Sequence, residues 1–132
     1  MMFVNLPVKD LSRSVDFFTQ LGFRFNPQFT DENSTCMIVN DTAFVMLLVE
    51  PFFKQFTTKE LGDTSTYTET IISLTAESRA QVDERIEKAI AAGAATPNQP
   101  LEMEGMYARS FEDPDGHHWE FMYMDPSAVQ PG

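Results

Sequence analysis

Glu120, Glu69, His117 and His118 are the side chains of the C-terminal half best suited to acid–base or metal chemistry. The two histidines and Glu120 follow Asp113-Pro114-Asp115-Gly116, a strong turn signal. If the chain is extended from His117 to Met124, alternate side chains share a face. His118 and Glu120 then point one way, and His117 and Trp119 the other. A His118/Glu120 pair could offer two donors to a divalent ion, whereas His117 and His118 cannot chelate together. The plainer alternative for both histidines is a partly exposed ring beside a turn. Glu120 is also a candidate general base if it is buried among Phe3, Met122 and Met124, because desolvation raises a carboxyl pKa. Its structural alternative is a carboxylate satisfied by Arg109 or Tyr107 from the adjacent strand. Arg109 could grip an anionic ligand bidentately, or simply form an ion pair. Cys36, between Thr35 and Met37, reads as a buried inert thiol rather than a nucleophile. No phosphate loop, dinucleotide-binding fingerprint, zinc-finger spacing or nucleophile elbow occurs.

The elements that must hold these residues follow from periodicity. Residues Phe3 to Val8 alternate as a strand, on which Phe3, Asn5 and Pro7 share a face. Asp10 to Leu21 places Leu11, Val15, Phe18 and Leu21 on one helical stripe, with Asp10 or Ser12 as N-cap and Gly22 just past the end. Phe23-Arg24-Phe25 begins a strand that Pro27 limits or places at an edge. Strands follow at Thr35 to Val39 and Ala43 to Val49, joined by a turn at Asn40-Asp41. The second half repeats this order. Thr68 to Thr75 reads as a strand, and Ser78-Arg79-Ala80-Gln81 as a capping box opening a helix with a Val82, Ile86, Ala89, Ile90 stripe ended by Gly93. Residues 94–100 hold room for a short edge strand, and Met106 to Phe111 and His117 to Met124 flank the strong turn. The helix-ending glycine precedes the hairpin turn by 19 residues in one half and 20 in the other (Gly22 to Asp41, Gly93 to Asp113). Two β-α-β-β-β modules account for this spacing. The intervening stretch 51–67 contains Phe52, Phe53 and Phe56, and reads either as a loop packed on the core or as a lid over a pocket. The end from Asp125, with two prolines and a glycine, reads as a frayed tail.

Composition sets the outer limits. A chain of 132 residues with 42% hydrophobic content suits one folded domain. Twenty acidic against nine basic side chains leave a formal charge of −11, which argues against nucleic acid and against an anionic membrane surface. The longest apolar run, Ala43 to Val49, falls far short of the ~20 residues that span a bilayer. The start lacks a basic n-region and a long apolar stretch, so no signal peptide is expected. A single cysteine excludes an internal disulfide and fits a cytoplasmic location. Twelve Phe and eight Met are either ordinary core or the lining of an apolar pocket.

The opening Phe3-Val4-Asn5-Leu6-Pro7-Val8-Lys9-Asp10-Leu11-Ser12-Arg13-Ser14-Val15-Asp16-Phe17-Phe18, with Leu21-Gly22-Phe23, resembles the vicinal-oxygen-chelate superfamily of glyoxalases, bleomycin-resistance proteins, fosfomycin-modifying enzymes and extradiol dioxygenases. The closing run Arg109-Ser110-Phe111-Glu112-Asp113-Pro114-Asp115-Gly116-His117-His118-Trp119-Glu120 is similar to that superfamily's last hairpin, and nearest to its predicted lactoylglutathione-lyase branch. The resemblance runs from residue 3 to about 125. It implies an α+β fold in which two βαβββ modules form a curved, cup-like mixed sheet. One domain would span 1–125, as modules of about 1–50 and 68–125 linked by 51–67, with 126–132 as tail. It also implies a homodimer whose sites are completed by modules of both chains.

The same resemblance implies four strand positions for metal ligands in metal-dependent members. The first falls on Phe3, which has no lone pair. The second falls in the Ala43–Glu50 stretch, where Met46 and Leu48 share a face and Glu50 stands at the end. The third falls on Glu69 or Ile71, and the fourth on Glu120. Such a set is too thin for a tight transition-metal site, which normally takes at least three protein ligands. The expectation is therefore a cytoplasmic homodimer that binds a small, partly apolar molecule in a cup between modules, with no cofactor and no metal. Its ligand contacts would be Phe3, Asn5, Met46, Leu48, Glu69, Tyr107, Arg109 and Met122. The alternative is a divergent lactoylglutathione-lyase-like lyase or isomerase. In it Glu120 serves as base, or as residual ligand with Glu69 or His118 to zinc, nickel, manganese or iron. The motifs leave the choice between binder and enzyme open.

Overall fold

In the computed structural model, which describes residues 1–128, Met2–Val8 forms the first strand, β1, and Leu11–Gln20 the first helix, α1. Asp10 caps α1 by accepting a hydrogen bond from the Arg13 N–H at 3.1 Å. Gly22, at φ +99°, ends it in the left-handed conformation that a side chain would resist. The buried side of α1 is Ser14, Phe17 and Phe18, with Leu21 beyond its end, while Leu11 and Val15 of the expected stripe are only half-buried. Two large rings outweigh two aliphatic side chains in buried apolar area, and the small Ser14 lets the helix sit down on them.

Three further strands complete this sheet: β2 (Arg24–Asn26), β3 (Ser34–Ile38) and β4 (Ala43–Val49), in the order β1-β4-β3-β2 with β1 parallel to β4. β2 is an edge strand, stopped by Pro27, which starts a 3-10 turn over Pro27–Phe29. Leu6, Val8, Val45 and Leu47 are buried on the face that carries α1. The turn before β4 is held by Asn40, whose Oδ1 accepts the Thr42 N–H at 2.9 Å. A four-residue helix, α2 (Glu50–Phe53), and a 3-10 turn over Lys54–Phe56 follow β4 directly. These elements make up the first compact unit, Met1–Asp63.

The second unit, from Thr64 onward, repeats the plan. It contains β5 (Ile71–Thr75), α3 (Arg79–Ala91), β6 (Leu101–Met103), β7 (Met106–Glu112) and β8 (His118–Met124), in sheet order β5-β8-β7-β6 with β5 parallel to β8. Ser78 caps α3 by accepting the Gln81 N–H at 3.0 Å, while Gln81 reaches back to the N–H of Glu77, one residue earlier than the expected capping box. Val82, Ile86 and Ala89 are buried, whereas Ile90 is exposed. Beneath α3 lie Phe111, Trp119 and Phe121, with Phe111 stacked on both of the others. Asp113 pins the turn before β8. It accepts N–H bonds from Asp115, His117 and the Trp119 indole at 2.9, 3.0 and 3.0 Å. Burial pushes the Asp113 carboxyl above its usual range, against the pull of these donors.

Two expected boundaries move. The strand placed at 68–75 begins only at Ile71, because Ile71 already pairs with His118, the first residue of β8, and beyond it lies the turn. The edge strand expected within 94–100 lies at Leu101–Met103, after Pro97 and Pro100, which have no N–H to give a ladder. Ala95 makes only an isolated bridge to Glu112. Within the expected tail, Pro126–Ala128 form a 3-10 turn, and 129–132 lie outside the described residues. The architecture is α+β, two four-stranded mixed sheets each carrying helices. No helix among the described residues is long and apolar enough to cross a membrane.

Candidate functional site

A cavity of about 850 Å³ opens on the first unit, on the face of its sheet away from α1. Parallel pairing of β1 with β4 sets Asn5 beside Met46 and Pro7 beside Leu48, and β3 adds Ser34 opposite Leu48. Asn5, Ser34, Met46 and Leu48 thus form the floor. The walls come from two segments that leave the sheet. One is the turn after β2, with Phe29, Thr30 and Asp31. The other follows β4, where Pro51 cannot extend the ladder and the chain turns into α2, bringing Phe52, Phe53 and Phe56 over the floor. Phe52 and Phe56 meet edge to face at 5.2 Å. The stretch 51–67 therefore starts as a wall of the cavity, and its three phenylalanines all line it.

The polar part of the lining is tied to the loop at Asn26–Ser34. Asp31 Oδ1 accepts the N–H groups of Asn33 and Ser34 at 2.7 and 3.0 Å and the Ser34 hydroxyl at 3.4 Å. The Thr30 hydroxyl donates to the Asn26 carbonyl at 2.8 Å and lies 2.9 Å from the Thr35 hydroxyl. Three of the expected ligand contacts, Asn5, Met46 and Leu48, line this cavity. Phe3 lies on the same strand face but outside the lining, its ring stacked on Phe44 at 5.0 Å. Phe29, Asp31 and Ser34 escaped the sequence reading; an apolar Phe29 stranded in a polar turn after Pro27 was the available signal.

The remaining expected residues belong to the second unit. Glu120 lies on the face of β8 away from α3, with His118 and Met122. Its partner is neither Arg109 nor Tyr107: Ser73 Oγ of β5 donates to Glu120 Oε1 at 2.6 Å. On the other side Glu120 stands opposite Ser110 of β7, whose hydroxyl is buried and has no hydrogen-bond partner among the described residues. Tyr107 and Arg109 alternate with Ser110, so they face α3 instead. There the Tyr107 hydroxyl donates to Asp83 at 2.6 Å, and Arg109 pairs with Asp83 at 3.0 Å and Glu87 at 3.5 Å. The Tyr107 hydrogen bond, with that of Arg109, holds the Asp83 carboxyl below its usual range, while burial and Asp83 push Tyr107 up. The Arg79 guanidinium covers the Tyr107 ring at 4.2 Å and pairs with Glu102. Glu69 is exposed and lies two residues before β5.

These placements do not suit a divalent metal. Phe3 has no donor atom, Met46 and Leu48 face the cavity, and Glu50 is the first residue of α2 rather than part of β4. On the second sheet Glu120 is met by a serine hydroxyl from β5, and Glu69 is off the strand. No three His, Cys, Asp or Glu side chains among the described residues group as a metal site. Glu120 shares its face with one imidazole, His118, and the hydroxyls of Ser73 and Ser110, short of the three strong donors that normally hold zinc, nickel or iron.

Comparison with known proteins places the chain. Residues 1–40 match the family model "Bleomycin resistance protein-like N-terminal". A glyoxalase/bleomycin resistance protein/dioxygenase family enzyme from Burkholderia phytofirmans shares the fold at TM-score 0.77 and 18% identity, over 92% of this chain and 96% of that one. A lactoylglutathione lyase from Agrobacterium tumefaciens does so at TM-score 0.70 and 16% identity, over 93% and 92%. The chain shares the fold of glyoxalase/bleomycin resistance/dioxygenase proteins. More narrowly, it shares a family with the hypothetical protein SA1046 from S. aureus, which is 31% identical over 93% of this chain and 92% of that one, at TM-score 0.80. No curated protein matches the sequence.

Proposed function

We propose that this protein binds a small, partly apolar molecule in the cavity of its N-terminal unit. The observation that carries this reading is a space of about 850 Å³ floored by Met46 and Leu48 and walled by four phenylalanines, with Asn5, Ser34 and Asp31 as its convergent polar groups. Ligand pockets have this character: mostly apolar, with a few polar groups that orient the guest. The match of residues 1–40 to a bleomycin-resistance-like family model points the same way. Titration with the neutral dye Nile red tests the reading. Wild-type protein should bind it saturably, and Met46→Trp, which fills the cavity from the floor, should weaken binding at least about tenfold without loss of fold. Equal binding by Met46→Trp and Phe52→Ala variants would remove the cavity from consideration.

A second reading is supported by the Ser73–Glu120 hydrogen bond beside the unpartnered Ser110 hydroxyl. On this reading the protein is a divergent lactoylglutathione-lyase-like lyase or isomerase, and Glu120 Oε2 takes a proton from a carbon acid while Ser73 holds Oε1 in place. No step passes through a metal. The test is turnover of the hemithioacetal of methylglyoxal and glutathione; a Glu120→Gln variant as active as wild type would end it. We also propose a cytoplasmic homodimer. Light scattering should give twice the 15.0 kDa chain mass; a monomer at micromolar concentration would refute the pairing.

A further inference from the structure

We propose that Asp31 makes the N-terminal cavity selective for uncharged or cationic ring-bearing molecules and closes it to anions. This rests on the cavity being a binding site. Asp31 is the only charged side chain among the lining residues, and no Lys, Arg or His joins it. Lys54 belongs to the segment that covers the floor, yet it does not line the space.

The hydrogen bonds of Asp31 fall on one oxygen. Oδ1 takes the N–H groups of Asn33 and Ser34 and the Ser34 hydroxyl. Among the described residues no donor meets Oδ2, which is left to accept from an ammonium, N–H or O–H of a guest. Among the described residues Asn5, on the floor, has no side-chain hydrogen-bond partner and offers both a donor and an acceptor to an uncharged polar group. Four ring faces or edges surround these two groups, and ring faces attract cations. An anion entering the same space would lose its water, meet a carboxylate and find no positive partner.

The test uses three molecules with one ring system: 1-naphthylmethylamine, 1-naphthalenemethanol and 1-naphthoate. Isothermal titration of wild-type protein should rank the amine about fivefold tighter than the alcohol and the naphthoate at least about fivefold weaker than the alcohol. Asp31→Asn keeps Oδ1 for the loop and removes the charge. It should bring the amine and the alcohol within about twofold of each other, with alcohol binding unchanged. Asp16→Asn, an exposed change on α1 that removes the same charge, should leave the wild-type ranking intact.

Naphthoate binding as tight as that of the alcohol would overturn the charge selectivity while leaving the cavity as a binding site. So would an equal effect of Asp16→Asn, which would trace the preference to the overall −11 charge. Alcohol binding that Met46→Trp does not weaken would overturn the cavity itself. The wild-type ranking stands as a test even if Asp31→Asn fails to fold.

Discussion

Ser73 and Glu120, 47 residues apart, meet across the parallel strands β5 and β8, the serine hydroxyl donating to the carboxylate at 2.6 Å. The pair replaces the arginine or tyrosine partner that the sequence around Glu120 suggests, and it turns the carboxylate toward a hydroxyl rather than a cation. Its strength is measurable. A double-mutant cycle of Ser73→Ala and Glu120→Gln, followed by urea unfolding, should give a coupling of about 0.5–1 kcal/mol, modest because Ser73 is exposed. A coupling indistinguishable from zero would show the bond to be absent in solution.

Asp113 and Trp119 give a pH prediction. Burial raises the folded-state pKa of Asp113, so the folded form holds its proton more tightly than the unfolded form. Its contribution is therefore fully present below the unfolded carboxyl pKa of about 3.9 and is lost as pH rises from there through the raised folded value. Asp113→Asn should flatten the part of the stability–pH curve above about pH 4. Trp119→Phe removes the indole donor at 3.0 Å and should cost about 2–3 kcal/mol, increasing toward neutral pH. Thermal melts across pH check both, and parallel curves for wild type and Asp113→Asn would contradict the assignment.

Cys36 is 1% exposed, and burial pushes its thiol above the usual range. Reaction requires both exposure and the thiolate, so a disulfide reagent at neutral pH should modify Cys36 only as fast as the first unit opens. Stopped-flow labelling with and without urea reads this directly. Immediate modification in native buffer would place Cys36 at the surface.

Gly116 has φ +84°, and a Cβ there would stand 3.0 Å from the Thr64 hydroxyl oxygen, which donates to the Asp115 carbonyl. Gly116→Ala should cost roughly 1–2 kcal/mol, from strain and the disturbed Thr64 contact together. Adding Thr64→Ala should recover part of that loss. Equal stability of Gly116→Ala and wild type would deny the left-handed turn.

Much of this protein is legible in one dimension. Strand alternation at Phe3 to Val8, the Asp10 and Ser78 caps, the positive-φ glycines at 22 and 93 and the Asp113 turn are local rules, set within a few residues of chain. Asn5, Met46 and Leu48 were readable as one face because strand period two is local as well. The partners of Glu120 and Arg109 were not. Alternation tells that Arg109 and Ser110 point oppositely, but not which side α3 covers, and that choice sent Arg109 to Asp83 and Glu87.

The sequence by itself determined the two βαβββ modules, the caps and turns between their elements, and the acidic, phenylalanine-rich character of the chain. Only the tertiary structure decided that Phe29, Asp31 and Phe52 share one cavity with Met46, and that Ser73 rather than Arg109 meets Glu120. Periodicity and capping depend on neighbours along the chain. Which faces meet depends on strand register and on the side each helix takes, and these follow from how the whole unit buries its apolar surface.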